Sequence, residues 1–199
     1  DRQTGELDVL RTFDVDRVAY VGGVYLGRAL ALVGLIVVSL VGVGLLVPVL
    51  TADIPTFLAI NDAVDSGLRY VRFVVLSAVF TLVVLAATVA ISTAARTVRT
   101  ALALAVALVI ALVIGFDTAL VAGIAGGAIP DDGVAVLVAA SPNSAYRGLV
   151  LSTAVGVVGG ANVTAGNAVV NFLGLVVWWL ASIAVAVWRV WPAVEETTA

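Results

Sequence analysis

Four stretches without a single charged side chain decide what this chain can fold into: Ala29 to Ala52, Phe73 to Ala95, Thr100 to Phe116 with an apolar continuation toward Pro130, and Ala168 to Trp188. The hydrocarbon core of a bilayer, about 30 Å thick, is crossed by about 20 apolar residues rising 1.5 Å each. A helix of a soluble protein must turn one face to water and rarely runs that far uncharged. The chain is therefore expected to be an all-α, polytopic membrane helix bundle with four transmembrane helices, at 29–51, 71–94, 100–124 and 168–190. Residues 1–199 form a single membrane domain in this reading, and no soluble domain accompanies it.

Charged residues make up 12% of the chain and hydrophobic ones 62%, where about a quarter of an ordinary soluble domain is charged. The net charge of −3 argues against a nucleic-acid partner. All ten basic residues are Arg, and an acidic, lysine-free, Val/Ala-rich composition points to a halophilic source. The chain opens on Asp1 and contains no Met, so it reads as a fragment or a processed product.

Missing residue types remove whole chemistries. Without Lys there is no phosphate-loop lysine and no Schiff base; without His or Cys there is no Ser/His/Asp triad, thiol nucleophile, zinc motif or haem ligand. Neither catalysis by this chain nor a metal or other cofactor is expected. Function is to be sought in the loops, the termini and the few polar groups of the spans.

Residues 1–28 are polar and amphipathic, with Leu7, Leu10, Val18, Val21 and Tyr25 at helical spacing among four Arg. They read as a helix on the cytoplasmic membrane surface that turns into the first span near Gly27, with Asp16 as an N-cap. Only Ala95 to Thr100 separates the second and third spans, a tight helical hairpin. Residues 133–166 read as an outer segment holding a short helix that starts at Ser141 and Pro142, an N-cap followed by Pro at the first helical position. Tyr146 and Arg147 in that helix read as an interfacial anchor, and Asn162-Val163-Thr164 is a glycosylation sequon. Trp178, Trp179, Trp188 and Trp191 are taken to bracket the last span.

Counting Arg on the two sides gives seven for Asp1–Arg28, the Arg96/Arg99 turn and Arg189, against three for Arg69, Arg72 and Arg147. The positive-inside bias then puts both termini in the cytoplasm, with the protein in the plasma membrane. In the third span Ala103, Ala107, Ala111 and Gly115 recur every fourth position, a ladder that lets another helix approach closely, within the chain or from a second copy. Asp117, placed about one turn from the outer end of this span, is the sole acidic residue outside loops and tails. It reads either as a pathway or proton-relay residue or as a carboxylate reaching the outer surface.

The order of these motifs resembles the ABC-2-type transporter permeases, and within them the branch that includes permeases for nitrous-oxide reductase maturation. The family pattern of an acidic/Arg start, G-T-L, L, P-V-S-R and G-K-x-L-G-R is matched here by Arg2-Gln3-Thr4-Gly5-Glu6-Leu7, Leu10, Asp14-Val15-Asp16-Arg17 and Gly23-Val24-Tyr25-Leu26-Gly27-Arg28. Asp14 and Val24 stand where the family has Pro and Lys, and Asp16 replaces Ser while keeping its capping chemistry. Phe116-Asp117 is similar to the aromatic-Asp of the fifth span, and Ser141-Pro142-Asn143 with Tyr146-Arg147 is similar to the Asn-Pro and aromatic-Arg before the last span.

The resemblance implies that the chain holds the last four of six spans and is a permease subunit forming a translocation path. It implies that Gly5, Leu7, Leu10, Val15 and Arg17 dock a separate ATP-binding cassette subunit, which carries out the hydrolysis, and that permeases pair as homodimers or heterodimers. Two other readings stay open: an ion- or proton-coupled secondary carrier using Asp117, and a non-transporting scaffold held by the small-residue ladder.

Overall fold

The computed structural model describes residues 16–50, 67–95, 97–127, 133–155 and 167–190, apart from the side chains of Pro48, Asp117, Val134 and Ala135. Gly5, Leu7, Leu10, Val15, Arg96, Asn162 and Trp191 lie outside the described residues. Every regular element among the described residues is helical. We number them α1 (Arg17–Leu50), α2 (Gly67–Ala94), α3 (Val98–Ile110, continuing through a π-helical turn Ala111–Gly115 into Phe116–Ala125), α4 (Val134–Ala140), α5 (Pro142–Leu149, continuing into a π-helical turn Val150–Val155) and α6 (Ala168–Val190).

Helix is the form this composition demands, because hydrocarbon offers backbone groups no partner outside their own segment. Four helices are long and apolar enough to cross a bilayer: Arg17–Val47, Gly67–Ala94, Val98–Ala125 and Ala168–Val190. Hydroxyls within them turn back on their own helix. Ser39 donates to the Leu35 carbonyl at 2.7 Å, Ser77 to Phe73 at 2.8 Å and Thr81 to Ser77 at 2.7 Å, so each is satisfied without a neighbour.

Asp16 caps α1 as expected, its carboxylate accepting from the Val18 N–H at 3.2 Å. The expected turn near Gly27 is absent: α1 is one unbroken helix from Arg17 to Leu50. Of the apolar side chains that the periodicity picks out within the described residues, Val21 and Tyr25 face protein rather than a membrane surface, while Val18 is exposed. Val21, Tyr25 and Ala29 are buried against Leu85, Ala86, Val89 and Ala90 of α2 and Ala186 and Val190 of α6.

The packing around α2 sets the architecture. It shares its largest interface with α6, runs antiparallel to α1, and also touches α5. A second cluster joins Val83 of α2, Ala145 and Leu149 of α5 and Leu175 of α6. Thr97 caps α3 by accepting from the Thr100 N–H at 3.1 Å, which closes the short α2–α3 hairpin. One end of the bundle therefore gathers Arg17, Ala94, Val98 and Val190, and the other gathers the start of α2 and of α6.

Candidate functional site

The α4–α5 pair is a broken helix driven into the bundle. Its break is Ser141, extended at φ −94° and ψ 120°, whose hydroxyl accepts from the Ser144 N–H at 3.3 Å, with Pro142 filling the first helical position that needs no donor. Ser141 and Pro142 are both buried. Against them lies α6. A Cβ added at Gly174 would fall on the Ala139 carbonyl oxygen, and Trp178 Nε1 donates to the Ala140 carbonyl at 2.8 Å. That carbonyl belongs to the last turn of α4 and has no helical donor, so the indole supplies one. Trp178 stands midway along Ala168–Val190, which puts the break at mid-depth, where irregular backbone survives only inside protein or beside water.

The other face of α5 meets α2. Tyr146 stacks on Phe80, with ring centroids 4.5 Å apart and 16° between planes, and its hydroxyl lies 2.9 Å from Ser77 Oγ. Where the π turn ends, Arg69 Nη1 donates to the Val155 carbonyl at 3.0 Å and Arg72 Nη1 to the Thr153 carbonyl at 3.3 Å. Two cations thus cover the negative end of the α5 helical run. Of the three outer-segment residues singled out above, Pro142 is buried and Tyr146 half-buried against α2, while Arg147 alone is exposed. Residues 133–155 hold two helices in place of the one expected.

A second junction lies toward the Arg17 end. Tyr25 of α1 donates its hydroxyl to the Leu82 carbonyl of α2 at 3.0 Å and accepts from Trp179 Nε1 of α6 at 2.8 Å. The adjacent Trp178 and Trp179 therefore serve two different elements from the middle of α6: the break in the α4–α5 pair, and α1. They do not bracket the span. Trp188 is exposed near its end, with the Arg189 guanidinium 5.0 Å from its ring centroid. Sequence reasoning passed over this junction, although two indole N–H groups in the middle of an apolar run had to find acceptors. Between α2 and α6, beside Trp179, a wholly apolar pocket of about 160 Å³ lies between Val79 and Val176.

The remaining residues of interest sit on α3. Phe116 meets Trp178 edge-on at 6.2 Å, so the backbone at Asp117 is level with the middle of α6 and eight residues short of Ala125. That is about two turns from the end of the helix, where one turn was expected. The ladder faces away from the chain: Ala103, Ala107 and Gly115 are exposed and Ala111 half-buried. A Cβ at Gly115 would find only Ile110 and Ala111 of its own helix within 4 Å. Leu112 is the buried residue of this helix among the described residues. No cluster of three metal-ligating side chains occurs among the described residues.

Residues 15–190 match the sequence model of a family described as ABC-2 family transporter protein. Neither curated proteins nor solved structures provide a match to the chain.

Proposed function

The chain belongs to the ABC-2 family of transporter proteins, a multi-pass membrane permease subunit, and we propose that it couples a separate ATP-binding subunit at its Arg17 end to movement of the α4–α5 wedge at the other. The observation that carries this reading is the Trp178–Trp179 pair. Arg17 opens α1 directly after Gly5, Leu7, Leu10 and Val15, the segment proposed to dock the ATPase. A displacement there travels along one unbroken helix to Tyr25, passes through its hydrogen bond to Trp179, and reaches the wedge through the neighbouring bond from Trp178 to Ala140. Two rigid links from adjacent residues transmit motion with little slack.

In this reading the Arg17 end is cytoplasmic and both termini lie there, supported by the Arg asymmetry. Two permeases pair, with the α3 ladder available for the contact. Motif order supports the nitrous-oxide reductase maturation branch, and lysine-free acidic composition supports a halophilic source.

Gentle-detergent purification of the protein from its native membrane tests the coupling. An ATP-hydrolysing subunit should accompany the wild type and be lost in Leu7→Asp or Leu10→Asp, since a charge placed in an apolar docking groove has no partner. If no ATPase ever associates and Asp117→Asn abolishes ion-coupled uptake, the secondary-carrier reading replaces this one.

A further inference from the structure

Arg28 is the residue whose position in the fold is hardest to reconcile with a structural role. It was expected to end the cytoplasmic segment, immediately before a span beginning at residue 29. The structure begins α1 eleven residues before Arg28, about 16 Å of helix, and packs Val21 and Tyr25 of that stretch against α2 and α6. The depth is fixed independently from the neighbouring helices. Tyr25, one turn before Arg28, bonds to Leu82 and Trp179, near the midpoints of α2 and α6. Ala29, the next residue, belongs to the cluster with Leu85 and Ala86.

The side chain of Arg28 is exposed, and it makes no hydrogen bond or ion pair with any described residue. It lies beside the packed Val21–Tyr25–Ala29 face rather than on it. Eleven residues are close to three helical turns, so Arg17, Arg28 and Ser39 fall on one line along α1, with exposed Leu35 between the last two. A guanidinium at this depth is not stable against lipid chains; such groups face a water-filled cavity or an opposite charge. Its flexible stem is too short to carry the charge from the level of the α2 and α6 midpoints to the end of the bundle.

We propose that Arg28 faces a water-filled path through the bilayer and there receives an anionic group of the transported molecule. The proposal rests on the permease reading and adds the chemical class of cargo: a molecule bearing a carboxylate, phosphate or sulfate. Arg suits that task because its charge persists at any working pH and its planar fork matches an oxyanion.

The absence of Cys allows a direct test in native membrane vesicles with small, charged methanethiosulfonate reagents, which modify a thiol only where water reaches it. Arg28→Cys and Leu35→Cys should react, as should Arg99→Cys at the membrane surface, while Leu30→Cys, on the opposite side of α1, should not. In the Leu35→Cys protein, adding Arg28→Gln should lower the ratio of anionic to cationic reagent rates about tenfold, the effect of one charge roughly 10 Å away in a protein-walled aqueous space. Silence at both Arg28→Cys and Leu35→Cys while Arg99→Cys reacts overturns the water-filled path. A ratio indifferent to Arg28→Gln overturns the anion site, and a ratio change that vanishes after reconstitution in purely zwitterionic phosphatidylcholine assigns the anion to lipid and overturns it as well. The ATPase co-purification is unaffected by these outcomes, so failure here leaves the coupling reading to be judged on its own experiment.

Discussion

Helices α2 and α3 have the same length, 28 residues each, and nearly the same hydropathy, yet 39% of the most apolar stretch is buried in α2 and 6% in α3. Hydropathy brings both into the bilayer and says nothing about which one is packed. What separates them is the distribution of shape and polar handles. α2 offers its carbonyls and hydroxyls to other elements, Leu82 to Tyr25 and Ser77 to Tyr146, and small Ala86 and Ala90 admit α1 and α6. α3 keeps its small residues on the side away from the bundle and touches α6 mainly through Phe116. In lipid there is no hydrophobic gain in burying one apolar helix against another, so close fit and specific bonds decide the contacts.

The strongest way to break this comparison is to add one methyl group to α6, the main packing partner of α2, and one to α3. Gly174→Ala forces a Cβ into the Ala139 backbone, which cannot move without displacing the buried break at Ser141, and should cost about 1–3 kcal/mol. Gly115→Ala makes only ordinary van der Waals contact with Ile110 and Ala111 of its own helix and should be neutral or gain up to about 1 kcal/mol of helix propensity. Thermal unfolding in detergent, followed by size-exclusion fluorescence, reads both. Equal losses would show that α3 is as tightly packed as α6, against which α2 makes its largest interface.

Next in size is the hydrogen-bonded junction. Tyr25→Phe leaves ring packing in place and strands the Trp179 N–H, at a cost of about 1–2 kcal/mol, given that such bonds within membranes average well under 1 and the stranded donor adds its own penalty. Trp178→Phe does the same to the Ala140 carbonyl. If the two bonds form one transmission line, the pair of substitutions should be non-additive in nucleotide-driven reactivity of a reporter at Arg147→Cys. Additive losses would reduce the junction to two unrelated struts.

Several of these features were readable from local pattern. The four spans, the Asp16 cap and the Ser141-Pro142 helix start each depend on residues within a few positions of one another, and the structure reproduces each. The register that sets Phe116 against Trp178 and Tyr25 against Leu82 was not readable, because it depends on which residue of a neighbouring helix stands opposite, and no count of apolar residues contains that. The role of Gly174 was invisible for the same reason. Tyr25 was seen only as part of an apolar face, whereas its hydroxyl connects three helices. The docking segment Gly5 to Val15 lies outside the described residues, so its reading still rests on resemblance.

A smaller effect belongs to the Arg pair at the start of α2. Arg69→Gln with Arg72→Gln removes both cations from the carbonyl end of the α5 run while retaining amide donors, and should destabilise by about 0.3–1 kcal/mol, less at high salt. Unfolding measured at low and high ionic strength separates charge from hydrogen bonding. A loss independent of salt would mean that geometry, rather than the dipole, is what these side chains supply.

The smallest expected effect on the chain itself is also the sharpest statement about α3. Ala107→Leu adds three heavy atoms on an exposed face, where no other helix of the described chain approaches, so the melting temperature of the isolated chain should not move. Its consequence should appear instead in assembly: if the ladder receives a second permease, the added bulk blocks close backbone approach and the oligomer dissociates at lower detergent concentration. Val106→Leu, one residue round the helix, serves as the control, because Val106 is exposed without belonging to the ladder. Loss of assembly at Ala107 but not Val106 would make α3 the helix that α2 is not, one whose partner belongs to another molecule. Unchanged assembly at both would mean that lipid alone covers this face. A fall in the chain's own stability at Ala107 would contradict the placement of α3 and with it the contrast between the two helices.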